Sequence, residues 1–199
     1  MAWLDRDGVS LFYDEADGAD TLFLFVHGIA CDHTYLKPQF EYFARLGHRV
    51  VSVDLRGHGQ SDAPECDYTM GLFADDLAWM CGQLGLEKPV VVGHSLGGEI
   101  SLALAVASPD LPSAVVLMDS TIMPPQWRTE SMRPFIDSLR TPDYSDELRK
   151  YFLRLFLPTD DQGRKERILE AASKTPSHVV ASAWMEGFFR NYAFHARLG

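Results

Sequence analysis

Between residues 21 and 119 the chain alternates short apolar runs with longer stretches in which apolar residues recur every three or four positions. Thr21–Val26, Arg49–Asp54, Val90–Val92 and Ala114–Asp119 read as strands, and the continuously apolar Thr21–Val26 has the pattern of a strand covered on both faces. Between them three sets fall at helical spacing: Tyr35, Leu36, Phe40, Phe43 and Leu46; Met70, Phe73, Leu77, Met80 and Leu84; Ile100, Leu102, Leu104, Ala105 and Ala107. Gly47, Gly85 and Pro109 end these helices. Strands alternating with helices predict a mostly parallel sheet, flanked by helices and joined by right-handed crossovers. Ahead of it, residues 3–14 read as a hairpin, with a turn at Asp7-Gly8 and Val9, Leu11 and Tyr13 on one face.

After Ile122 the texture changes. Pro124-Pro125 breaks the chain, and four helical patterns follow at about 127–140, 145–156, 162–173 and 176–190 with no strand between them. They carry Trp127, Phe135, Tyr151, Phe152, Phe156, Trp184, Phe188 and Phe189. The expectation is a core over residues 1–122 and a helical lid over 123–199, with a pocket between them. For any single aromatic here, ordinary packing within a helical subdomain is the alternative.

Composition changes this picture only by exclusion. With 199 residues, 46% apolar and 23% charged, the chain can bury a sizeable core. A net charge of −10 argues against nucleic acid or an anionic membrane surface as partner. No apolar run reaches the roughly 18–20 residues of a membrane span, and the charged start Met1–Gly8 does not resemble a signal peptide. Cys31, Cys66 and Cys81 are an odd set without metal-ligand spacing, which points to reduced thiols in a cytoplasm. Cys31 reads as a small pocket or core residue, since no base stands beside it. No metal cluster or nucleotide-binding loop is present, and no cofactor is expected.

The candidate chemistry gathers at strand ends. In parallel sheets functional groups collect beyond the C-terminal ends of the strands, and His27, Asp54, Ser95 and Asp119 all hold that position. Gly93-His94-Ser95-Leu96-Gly97 fits G-x-S-x-G between a β-branched run and a helical pattern, the context of a nucleophile elbow. Side chains at Gly93 or Gly97 would crowd the strand against the helix, and Ser95 would project alone.

Phe25-Val26-His27-Gly28, Asp54-Leu55-Arg56-Gly57-His58-Gly59 followed by Ser61, and Gly93-His94-Ser95-Leu96-Gly97-Gly98 occur in an order and spacing that resemble the α/β-hydrolase superfamily, in its lidded esterase, lactonase and C–C-bond hydrolase branch. The resemblance covers essentially the whole chain. It implies that Ser95 is the nucleophile and that the backbone amides of Ile29 and Leu96 form the oxyanion hole. It gives His27 a loop-shaping role, and Asp54, Arg56 and His58 a loop-stabilising one. The implied activity is cleavage of a small carboxylic ester, lactone or related acyl substrate through an acyl-enzyme. The partner is then a small molecule, with a homodimer left open.

In that family the acid and the histidine follow the lid, and no strand pattern follows it before Gly199. The chain therefore reads as an N-terminal portion whose closing strands, acid and histidine lie elsewhere, and as inactive by itself. Within it, His178 reads as a surface or capping residue and His195 as part of a link. Asp119 stands where some branches place the acid. His94 is read as pointing away from Ser95. Two alternatives remain: a C–C-bond hydrolase or cofactor-free oxygenase on the same fold, and a non-catalytic binding or signalling module.

Overall fold

The computed structural model describes residues 1–122 and 126–187. Pro124-Pro125, Phe188, Phe189 and His195 lie outside the described residues, as does the side chain of Trp127.

Six strands form one sheet: β1 (Ala2–Arg6), β2 (Val9–Ala16), β3 (Leu22–Val26), β4 (Arg49–Val53), β5 (Val90–His94) and β6 (Ala114–Met118). Their order is β1-β2-β4-β3-β5-β6. β3 pairs in parallel with β4 and β5, and β5 with β6. The hairpin joins antiparallel through β2, with Tyr13 opposite Val53. Its turn residues Asp7 and Gly8 both have positive φ, 55° and 81°, the geometry that a two-residue hairpin turn needs to match strand twist. Insertion of the hairpin next to β4 was not readable from the local pattern.

The apolar runs become strands because both sheet faces are covered. On one face Phe25, Val50 and Val92 pack with Leu36, Phe40 and Phe43, brought there by a 3-10 turn at His33–Leu36 and by α1 (Lys37–Arg45). On the other, Leu24, Val51 and Val91 meet α2 (Met70–Leu84) and α3 (Leu96–Ala107) through Phe73, Leu77, Ile100 and Leu104. Thr69 caps α2 by accepting from the Leu72 amide at 3.0 Å, and Gly85 ends it at φ 59°. β6 is an edge strand, and Val116 and Leu117 are 43% and 41% exposed.

Four further helices follow: α4 (Gln126–Ser138), α5 (Tyr144–Leu153), α6 (Gln162–Lys174) and α7 (Ser177–Met185). α5 closes earlier than its apolar spacing suggested. The Arg154 and Leu155 amides bond back three residues, to Tyr151 and Phe152, so the last turn tightens ahead of Pro158. Ile136, Leu139, Leu148, Val180 and Trp184 belong to the same apolar cluster as Leu24, Val51 and Val91. Two further contacts tie these helices to the sheet loops. The Tyr68 amide donates to Ser182 Oγ at 2.9 Å. Gly57, at φ 80°, lies so close to Val179 that a β-carbon there would come within 2.6 Å of its Cγ1.

Candidate active site

β5 ends at His94 and α3 begins at Leu96, so one residue makes the whole reversal. That residue is Ser95, at φ 51° and ψ −120°, a region that side-chain-bearing residues rarely occupy. The turn is pinned on both sides: the Ser95 amide donates to the Met118 carbonyl on β6 at 2.9 Å, and the Gly98 amide donates to the Ser95 carbonyl at 2.9 Å. Gly97 is required for space, because a β-carbon there would run into the Val26 and His27 carbonyls. The Ser95 side chain has no hydrogen-bond partner among the described residues.

Ser95 lines a cavity of about 540 Å³. Gly28, Ile29 and Leu96 share its wall, and Tyr151, Phe152, Phe156 and Trp184 contribute aromatic surface from the later helices. Tyr151 and Trp184 meet edge to face at 5.2 Å. The Leu96 amide is the first of α3, so helix geometry leaves it without an intrahelical acceptor. Among the described residues neither it nor the Ile29 amide donates to a protein group.

The other strand-end residues build the walls. Burial outweighs the Asp54 charge and lowers the His27 pKa, so His27 is neutral. Its Nδ1 donates to the Gly28 carbonyl at 2.7 Å and its Nε2 accepts from the Leu55 amide at 3.1 Å. With both nitrogens occupied it ties the Gly28–Ile29 loop to the segment after β4. Asp54 Oδ1 accepts from the His33 amide at 2.6 Å and from its Nδ1 at 2.9 Å, and Oδ2 accepts from the Gln60 amide at 2.8 Å. Arg56 donates twice to Asp76, each at 2.7 Å, and Arg6 adds a third bond at 2.7 Å. His58 donates from Nδ1 to the Arg56 carbonyl at 3.0 Å, and burial pushes its pKa down to about 3.

Asp119, at φ 49°, reaches the same cavity as Ser95. His94 also lines it, closer to the site than the sequence reading placed it, but its ring faces Tyr35 at 4.5 Å and makes no hydrogen bond to Ser95. His178 is not brought to the site; its Nδ1 lies 3.5 Å from Glu65. Cys31 lines the cavity and is buried, and burial raises its thiol pKa, which disfavours a thiolate. The His33–Asp54 bond and the Asp76 hub were missed because their partners are far apart in sequence, and Tyr35 was read only as a helix-face residue. Among the described residues no group of three His, Cys, Asp or Glu is arranged to hold a metal ion, and no helix is long and apolar enough to cross a membrane.

The family model of the alpha/beta hydrolase fold matches residues 21–195. The chain belongs to the α/β-hydrolase fold family. Within that family it is similar to 2-(acetamidomethylene)succinate hydrolase of Mesorhizobium japonicum, 38% identical over 117 residues, which is 58% of this chain and 40% of the relative. A bifunctional esterase/perhydrolase of Acinetobacter calcoaceticus is 34% identical over 127 residues, 63% of this chain and 46% of the relative. These matches span less than half of either relative's length. An esterase structure from Exiguobacterium antarcticum superposes with a TM-score of 0.82 at 19% identity, covering 91% of this chain and 70% of that one, a likeness of fold alone. In this α/β-hydrolase-fold chain the family match reaches past α7 and so includes the helices that wall the cavity.

Proposed function

We propose that the protein is a serine hydrolase that cleaves a small carboxylic ester, lactone or related acyl compound through an acyl-enzyme at Ser95. The observation that carries this reading is a serine held at φ 51° on a one-residue turn, its hydroxyl unpartnered among the described residues, facing a 540 Å³ cavity. Attack of Ser95 Oγ on a carbonyl forms the C–O bond and places negative charge on the carbonyl oxygen. The Ile29 and Leu96 amides receive that charge, with one such donor worth roughly 3–4 kcal/mol. Collapse expels the alcohol, and water then releases the acid. Helices α4–α7 act as the cap over the acyl-binding cavity. Two relatives named as a hydrolase and an esterase support the reaction class.

Attack also needs a base to take the Oγ proton. Among the described residues no imidazole hydrogen-bonds to Ser95. That observation favours a second reading, a module that binds acyl ligands without turning them over. Labelling with a fluorophosphonate and release of p-nitrophenol from its butyrate ester test the first. Both should occur in wild type and vanish in Ser95→Ala; equal labelling of the two proteins refutes it. Saturable ligand binding with no product burst supports the second.

A further inference from the structure

Two cations line the Ser95 cavity from α6, and neither is paired with an acid among the described residues. Arg164 lies with its guanidinium 5.7 Å from the centre of the Tyr35 ring, and Lys165 Nζ is 6.0 Å from the Phe156 ring. On the same helices Lys150 sits on Glu147 at 2.6 Å and Lys174 on Glu170 at 2.7 Å. The acids next to the cavity cations are turned to backbone amides instead. Asp160 accepts from the Leu157 amide at 2.7 Å, and Asp161 caps α6 by accepting from the Arg164 amide at 2.7 Å.

The cavity carries charges of both signs, and Asp160 and Asp161 line it beside the two cations. Asp119 follows the strand that pins Ser95, and Glu99 lies in the first turn of α3, so acids flank the reacting end. Arg164 and Lys165 stand on α6, whose N-cap Asp161 is already held by the Arg164 amide. Arg164 is also shared with an adjoining cavity of about 500 Å³, which has Cys31, Tyr35 and Ile168 in common with the first. A guanidinium over a ring, exposed to solvent and free of a fixed carboxylate, is preorganised to take a planar anion through paired N–H donors. Among the charged side chains that line the cavity, only Arg164 and Lys165 can donate to a ligand carboxylate.

We propose that Arg164, assisted by Lys165, binds the free carboxylate of an acidic acyl substrate, such as a hemiester of a dicarboxylic acid, and so turns its scissile ester toward Ser95. This rests on the hydrolase reading above and names its substrate class. The test uses Ser95→Ala protein, so that ligand survives, and reads binding through the fluorescence of Trp184 at the cavity wall. Monobenzyl succinate should bind about tenfold tighter than neutral benzyl methyl succinate at low salt. Arg164→Gln should erase most of that preference, Arg164→Lys should keep part of it, and Lys150→Gln, outside the cavity, should leave it unchanged. Equal affinity for the two ligands, no binding of either, or a preference that survives Arg164→Gln overturns the proposal. Ester hydrolysis by wild type that persists in Ser95→Ala overturns the hydrolase reading instead, while the carboxylate preference is still measured directly.

Discussion

Replacing Ser95 by glycine should stabilise the protein relative to replacing it by alanine. Alanine keeps the β-carbon that makes φ 51° and ψ −120° costly; glycine removes it. Strain at such a position is worth roughly 1–3 kcal/mol. Against that, glycine gains about 0.5–1 kcal/mol more freedom in the unfolded chain. Nothing else of note is lost: the Ser95 hydroxyl has no partner among the described residues and makes no side-chain cap on α3. The backbone bonds to Met118 and from Gly98 survive either substitution. The balance favours Ser95→Gly over Ser95→Ala by about 1 kcal/mol, or about 2–4 °C in Tm for a chain of this size. Equilibrium urea denaturation followed by tryptophan fluorescence measures the difference. A Ser95→Gly protein equal to or less stable than Ser95→Ala would refute the claim that the elbow stores strain at the serine β-carbon.

Three other outcomes follow from the surrounding loops. Asp76→Asn leaves the buried Arg56 guanidinium without its carboxylate and should cost about 3 kcal/mol; a loss below about 1 kcal/mol in the same urea experiment contradicts the hub role. Gly57→Ala should destabilise by about 2 kcal/mol through its positive φ and its contacts with Val179 and Tyr68. Adding Val179→Ala should recover the Val179 share of the steric cost while the Tyr68 share stays, and purely additive losses would show that the Val179 contact is not a cause. The His33–Asp54 pair should shape stability against pH. Burial opposes both charges, but their mutual bond prevails, lowering the Asp54 pKa and raising that of His33. Asp54 therefore stabilises above its ordinary 3.8 and loses that contribution as pH falls through its lower folded value. His33 stabilises below its ordinary 6.5 and loses its contribution as pH rises through its higher folded value. His33→Asn should flatten the decline on the alkaline side of pH 6.5, as read from thermal melts across pH; an unchanged slope contradicts the assignment.

Sequence legibility followed the range of the interactions. The strand at Val90–Val92, the helix end at Gly85 and the hairpin turn at Asp7-Gly8 are set by neighbours within a few positions, and each is in the structure where the pattern placed it. Ser95 was legible for the same reason, since strand, turn and helix meet within five residues. Asp76 was not, because its partners Arg56 and Arg6 lie 20 and 70 residues away and α2 presents it to them only after folding. Arg164 was hidden differently. On α6 it is one polar position among many, and only the placement of Tyr35 beneath it separates it from its solvated neighbours.

The single apolar cluster that joins α4–α7 to the sheet has a consequence for traffic in and out of the cavity. A door that swings needs a seam, and Ile136, Leu139, Leu148 and Trp184 belong to one continuous apolar cluster with Leu24 and Val91, so a swing would have to part contacts somewhere along it. Parting even about 200 Å² of that contact would cost about 5 kcal/mol. Ligand exchange is then left to side-chain rotations at the mouth, around Tyr35, Arg164 and Lys165, on picosecond-to-nanosecond timescales. The amides of α7 should accordingly exchange with solvent only through large-scale unfolding, at the same rate as those of β5 and in step with denaturant.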